Sequence, residues 1–343
     1  MTTSSDAIPE SQNSWREALI DDLLESMRVR SSHFLRMGMG APWGLRVGNV
    51  DLETLLDLRR RQVHAGVRGS SFHIVASGSC HLEVEGIPGR TELSAGDFAV
   101  IPRGDPHVLR DGPHGRASGL VELLQASPPS STGELNAGGD GVVTRLVCGG
   151  VLFDNVKTNP LLAALPPLIH VKATEDGAFT SWLSLTVQHV IDEMDSHRPG
   201  ASAVVGRLAD ILFIGAVRSY IKHSLVAAES GWLAAVRDPQ IGRAIAILHR
   251  DPSNPWTVDL IADRVALSRS AFASKFTQLV GEPPLRYLTS VRLDTAARRL
   301  RTTNDKLIAI AYASGYDSAA AFTRAFERHL GTTPGEYRRT FLD

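Results

Sequence analysis

The stretch GDFAVIPRGDPHVLRD, residues 96–111, has a spacing suited to chemistry: Gly96-x5-Pro102-x-Gly104-x2-His107. Proline and glycine make a tight turn, and His107 stands just beyond it. An imidazole so placed can ligate a metal, move a proton near neutral pH or hydrogen-bond a ligand. Among the histidines that precede it, His64 and His73 are candidates for the same pocket. His73 alternates with Val75 against Phe72 and Ile74, so it either enters a pocket or is a satisfied core histidine. His81 and Glu83 alternate against Leu82 and Val84, which puts them on the solvent face.

A second set lies in the last third. In WTVDLIADRVALSRSAFASKFTQL, residues 256–279, Thr257 can cap a helix that turns Leu260, Ile261 and Val265 inward. Leu267 and Ser268 close a short turn. A second helix follows, with Phe272, Phe276 and Leu279 inward and Ser270, Ala273, Ser274 and Thr277 outward; Lys275 lies beside that outer face. The design recurs in LIAIAYASGYDSAAAFTRAFERHL, residues 307–330, with Ser314-Gly315 at the turn. There Phe322, Phe326 and Leu330 face inward. Ala319 and Ala320 open the second helix, with Ala320, Thr323, Arg324 and Glu327 outward and Arg328 on the flank. A lean, polar outer helix face suits close approach to phosphates and base edges. One helix, PLRYLTSVRLDTAARRL (284–300), joins the two units and offers Tyr287, Leu288, Val291, Ala296 and Leu300 for packing. Two such units could address successive major-groove segments on one face of DNA, about 34 Å apart.

The elements that carry these residues change character along the chain. Of 343 residues, 43% are apolar, enough to bury real cores. Residues 1–15 are polar and read as a disordered tail. From about 20 to 125 short apolar runs, FHIVA and FAVIP among them, are separated by glycine turns, which favours a sandwich or small barrel. SPPSSTGELNAGGDG (127–141) reads as a loop, and a strand pair surrounds LVCGGVLFD (146–154). The period then turns helical. Leu183, Val187, Val190, Ile191 and Met194 share one face, and Val204, Val205, Leu208, Ile211 and Leu212 repeat the pattern after HRPG (197–200). Apolar residues wrap most of this second helix, which suits packing on the barrel, a dimer interface, or both. The expected layout is a sensor domain over 16–177, a helical dimerisation segment over 178–226, a linker over 227–237 and a DNA-reading domain over 238–343.

Charge follows the same division. Residues 237–343 hold 16 Lys and Arg against 11 Asp and Glu, a net +5, which leaves −6 on the rest. That asymmetry suggests a polyanion partner for the C-terminal third. No apolar run approaches the roughly 18 residues of a membrane span. The start, MTTSSDAIPESQNSW, has no basic head before an apolar block, so no secretory leader is expected. Two cysteines, Cys80 and Cys148, make no disulfide framework, and a cytoplasmic setting follows.

The C-terminal third resembles the AraC/XylS transcription regulators over roughly 100 residues. The residues that carry the likeness are Pro284, Tyr287, Leu288, Arg292, Ala296 and Leu300, then Ala311, Gly315, Tyr316, Ser318, Phe322, Arg324 and Phe326, and finally Gly331, Thr333, Pro334, Tyr337 and Arg338. Ser274 stands where the first unit of that family usually carries arginine. The Gly96-to-His107 spacing resembles the second cupin motif, with Asp111 where that motif usually has asparagine. The first cupin motif would fall near His64, Gly66 and Ser71, and only His64 is of the right type. An enzymatic metal centre typically takes three or four ligands. His64 and His107 are two, so no metal and no cofactor are expected.

The resemblance therefore implies an α+β chain: an N-terminal cupin-like β-barrel with a helical hairpin, and an all-α C-terminal domain with two helix-turn-helix units. It implies a homodimeric regulator of double-stranded DNA whose barrel binds a small-molecule effector at His64, His73 and His107. RNA polymerase is a further candidate partner. The alternative is a metal-dependent cupin enzyme fused to a DNA-binding domain.

Overall fold

Short apolar runs ended by glycine turns become strands in the first half of the chain, and longer 3.6-residue patterns become helices in the second. The computed structural model describes residues 14–26, 29–48, 69–112, 116–130, 134–153, 160–173, 178–196, 198–227 and 231–342. The chain divides into two compact units. One comprises residues 27–157 and 165–223; the other comprises 1–26, 158–164 and 224–343.

The first unit holds two sheets. Its strands are β1 (Val29–Gly40), β2 (Gly44–Val47), β3 (Gly69–Ser77), β4 (Ser79–Val84), β5 (Thr91–Ser94), β6 (Phe98–Ile101), β7 (His107–Arg110), β8 (Ser118–Gly119), β9 (Glu134–Gly138), β10 (Val143–Phe153) and β11 (Ile169–Val171). Six form one sheet in the order β11-β6-β3-β10-β1-β9, and five form the other in the order β5-β4-β7-β2-β8. Met37, Val75 and Leu146 from the first sheet meet Leu45, Leu82 and Leu109 from the second in one buried core. Each such side chain stabilises the fold by about 1.5–3 kcal/mol over leaving it in water. Helix α2 (Leu120–Ala126) adds Leu120 to this core.

The described strands do not close into the expected barrel. Closure requires strands that tilt and stagger across both layers, and β2, β5, β6 and β7 span only four residues each. The result is a sandwich. The segment expected as a loop over 127–141 contains β9, which runs parallel to β1 at the sheet edge, Met37 opposite Leu135. One corner is tied by Asp97, whose carboxylate accepts from the N–H groups of Ser94 and Ala173 and contacts His170 Nε2 at 3.0 Å.

Two helices follow in the same unit. The first, Ala178–Asp195, buries Leu183, Val187 and Val190, as the periodicity predicts, and packs on β3. The second, Ala201–Ala227, buries Val205, Leu212, Phe213 and Val217. Met194 lies among side chains outside those described.

The second unit is helical, and it begins before the sandwich does. Helix α1 (Ser14–Ser26) packs on the helix Pro239–Arg250, with Leu19, Leu23 and Leu24 buried. Its Trp15 ring lies against Gly242, and Arg16 donates to the carbonyls of Val236 and Arg237 at 3.2 and 3.0 Å. In chain order the remaining described helices are α3 (Pro160–Ala164), α4 (Ala178–Asp195), α5 (Ala201–Ala227), α6 (Gly231–Arg237), α7 (Pro239–Arg250), α8 (Val258–Arg264), α9 (Arg269–Val280), α10 (Pro284–Thr302), α11 (Leu307–Ala313), α12 (Ala319–Leu330) and α13 (Pro334–Leu342). Helix α3 packs on α6. The linker expected over 227–237 is a helix from Gly231 onward, because Trp232, Leu233, Ala235 and Val236 are all buried. An apolar run of that density cannot remain in water.

Candidate DNA-reading surface and a buried histidine pair

The two helix-turn-helix units are built on one bond pattern. Helices α9 and α12 start at Ser268 and Ser318, whose hydroxyls accept from the N–H of Ala271 and Ala321 at 3.3 and 3.2 Å. Both helices end at a left-handed glycine, Gly281 and Gly331. Phe272 and Phe276 stack with Tyr287 in the first unit. Phe322 and Phe326 stack with Tyr337 in the second. All four phenylalanines are fully buried. Leu260, expected inward on α8, is 47% exposed; Ile261, Ala262 and Val265 are buried there.

With the phenylalanines locked inward, the opposite face of each reading helix is fixed. On α9, Ser270 and Ser274 are exposed and Ala273 is half-buried. On α12, Ala320, Arg324 and Arg328 are exposed, and Ala319 and Thr323 are half-buried. Arg324 makes no ion pair among the described residues and projects from the outer face at the same position as Ser274, two residues before the second phenylalanine. Arg328 lies close enough to the Tyr316 ring to act on it electrostatically. The outer faces thus differ: one presents hydroxyls, the other a guanidinium.

Lys275 is engaged elsewhere. Its ammonium sits 2.7 Å from Asp238 Oδ2 and 3.1 Å from Gln240 Oε1, at the start of α7. Asp238 also caps α7 by accepting from the N–H of Gln240 and Ile241. Burial works to raise its carboxyl, but the Ile241 N–H and Lys275 outweigh burial and hold it below the usual carboxylate range. The signal for this cap was legible as Asp238-Pro239 before an apolar-periodic run; its lysine partner was not.

Arg292, a motif residue with no role assigned from sequence, lies on α10 between the units. Its Nε donates to the Pro252 carbonyl at 2.7 Å and its Nη2 to the Asn254 carbonyl at 2.9 Å. Arg299 pairs with Asp305 at 2.7 Å, and Arg338 donates to the Asp305 carbonyl. These arginines hold the scaffold together.

In the sandwich, His64 lies outside the described residues, while His73 and His107 come together. His73 sits in the six-stranded sheet, with Cys148 and Ala99 as its cross-strand neighbours. His107 opens β7 in the other sheet. Their Nε2 atoms are 2.8 Å apart, so the pair bridges the two layers. Ser70 donates to the Pro102 carbonyl and steadies the turn that leads to His107. His107 Nδ1 lies 2.8 Å from the Asp105 carbonyl, an atom that can only accept, so this nitrogen carries a proton. In the neutral pair, His107 Nε2 therefore accepts and His73 Nε2 donates. His73 Nδ1 is left as a bare acceptor, buried and with no partner among the described residues. Burial, and then His107, hold the His73 pKa well below its usual value, consistent with a neutral ring.

The thiols of Cys80 and Cys148 are both buried and free. Burial, and then Asp97, push Cys80 up to about 12; burial, and then Cys80, raise Cys148 further. Both stay protonated and weakly nucleophilic at neutral pH. Among the described residues, no cluster of three or more His, Cys, Asp or Glu side chains is arranged to hold a metal. No described helix is long and apolar enough to cross a membrane.

Helices α4 and α5 each carry exposed apolar side chains. Trp182 and Leu185 are exposed on α4, and Val204 and Ile211 on α5, Leu185 at 73% and Ile211 at 48%. Val204 and Ile211 lie on the outer side of α5. Its inner side is filled by Val205, Ala209, Leu212 and Phe213.

Residues 18–222 match the cupin family model, and residues 261–340 match a helix-turn-helix domain model. A Streptomyces lividans protein described as an AraC-like transcription regulator is 36% identical over 93% of this chain and 97% of its own length. The HTH-type transcriptional regulator AlkR of Acinetobacter baylyi is 31% identical over 78% of this chain and 86% of its own. Among solved structures, the DNA-binding domain of AdpA in complex with a target DNA covers 30% of this chain and 92% of that chain, at 28% identity and a TM-score of 0.29.

Proposed function

The chain belongs to the AraC-like transcription regulators, and from that premise we propose that it regulates transcription by binding specific double-stranded DNA through both helix-turn-helix units. The observation that carries this reading is the repeated outer face of α9 and α12, held outward by two buried phenylalanines apiece. Arg324 supplies the base contact: a guanidinium can bind guanine O6 and N7 in the major groove. Ser270, Ala273, Ser274, Ala319, Ala320, Thr323 and Arg328 complete the surface, with small residues letting the helices sit close. Lys275 contributes indirectly, by fixing α9 to α7.

In this reading the sandwich is a binding module with no catalytic part, and it takes a small effector near His73 and His107. The bare Nδ1 of His73 favours a ligand that donates a hydrogen bond. Two copies join through the exposed apolar side chains of α4 and α5. The protein works in the cytoplasm, where RNA polymerase is a further partner. An effector changes DNA binding only if it favours one arrangement of the dimer over another.

Selection of duplexes from a randomised library by the purified full-length chain tests the reading. Recovery of a two-part sequence, protected over two successive major-groove segments, is the expected result. Retention of all duplexes alike would refute it.

A further inference from the structure

One side chain ties together the two helix-turn-helix units. Arg292 stands near the middle of α10, and its guanidinium holds two carbonyls, of Pro252 and Asn254. Both belong to the turn between α7 and α8, which delivers Trp256 and the cap residue Thr257 to the first unit. That turn is itself firm: Trp256 Nε1 donates to the Asp251 carbonyl at 2.8 Å, and the Trp256 N–H donates to the Asn254 carbonyl at 2.7 Å. The other side of the guanidinium lies against the turn of the second unit. A Cβ at Gly315 would fall 2.9 Å from Arg292 Cζ and 3.1 Å from its Nε and Nη2. Glycine is required there twice, for its φ of +77° and for the space the arginine occupies.

We propose that Arg292 is a positioning residue that sets the spacing and relative rotation of the two reading helices. The proposal rests on the DNA-binding reading above. Helix α10 has 19 residues and so is about 28 Å long, close to the roughly 34 Å between major-groove segments on one face of DNA. Over that distance a small pivot of one unit misplaces the other. Apolar packing along a helix permits such a pivot, whereas a planar guanidinium bonded to two fixed carbonyls resists it. A second unit pressed on the same guanidinium takes its angle from the first.

The test uses DNA selected by the wild-type chain, then the same duplex with one base pair inserted or removed between its two halves. One base pair shifts the second half-site by about 3.4 Å and turns it by about 35°. Wild type should lose at least about tenfold in affinity on either change, the scale of one mismatched position. Arg292→Lys keeps the charge but lacks the planar fork, and Gly315→Ala displaces the guanidinium. Each should bind the selected duplex more weakly and show a spacing penalty below about threefold, since a unit free to pivot tolerates both spacings. Circular dichroism melting identifies which variants are folded. A folded variant that weakens all three duplexes by one common factor, leaving the spacing penalty intact, overturns the proposal. So does a wild type indifferent to spacing. If wild type selects no duplex at all, the DNA-binding reading falls, and this inference with it.

Discussion

Ala266 holds the same place in the first helix-turn-helix that Gly315 holds in the second. Each sits in the left-handed region, at φ 54° and 77°. In each case the next residue's N–H bonds back 3.0 Å, Leu267 to Ala262 and Tyr316 to Ala311. An alanine in this conformation costs about 1 kcal/mol that glycine does not. Ala266→Gly should therefore stabilise the helical unit and raise its melting midpoint by about 2–4 °C. Calorimetry on the full chain checks this; a lowered midpoint contradicts it.

Arg324→Ala should weaken binding to the selected duplex by about 1–3 kcal/mol while leaving binding to random DNA little changed. Lys275→Ala should act differently. It removes the partner of Asp238, so its main effect should appear in thermal melting. Titrations of both variants against selected and random duplexes separate the two roles, and an unchanged affinity ratio for Arg324→Ala would exclude it as a base contact.

Acid should weaken the helical unit. The Tyr287 hydroxyl accepts from Trp232 Nε1 at 3.2 Å and donates to His249 Nε2 at 2.8 Å, which requires a neutral imidazole. Burial, and then the charge of Arg298, lower His249 to about 4. In the unfolded chain it titrates near 6.5. The unfolded state thus takes up the proton first, so stability contributed in full above pH 6.5 declines as the pH falls toward 4. His73 acts with the same sign in the sandwich. Urea midpoints at pH 7.5 and pH 5 should differ in that direction, and His249→Gln should reduce the difference. A variant with the wild-type pH dependence would count against this assignment.

If two copies join through α4 and α5 as proposed, wild type should be a dimer, and Leu185→Asp and Ile211→Asp should each shift it to monomer, since a carboxylate in an apolar contact loses its water. Light scattering at micromolar concentration reads the outcome. Dimers that persist in both variants would place the interface elsewhere.

Much of this was readable in the sequence because its cause is local. The buried phenylalanines follow from 3.6-residue periodicity, the caps from Ser268 and Ser318, and the alternation of His73 with Val75 from strand geometry. What was not readable depends on chain segments far apart. Nothing near Lys275 announces Asp238, and nothing near Gly315 announces Arg292. His73 and His107 meet only because two sheets face each other. The open sandwich was hidden for a related reason: strand runs show in a sequence, but whether a sheet closes depends on lengths and stagger summed over all of them.

Helix α1, at the far end of the sequence from the reading helices, covers part of their unit. A fragment begun after residue 224 would retain every side chain proposed to face DNA yet lose Trp15 from its seat on Gly242, the Arg16 bonds to α6, and the cover of Leu19, Leu23 and Leu24. Such a fragment would expose fresh apolar surface and tend to self-associate. A hybrid protein carrying this reading domain would stay soluble best with residues 14–26 supplied alongside it.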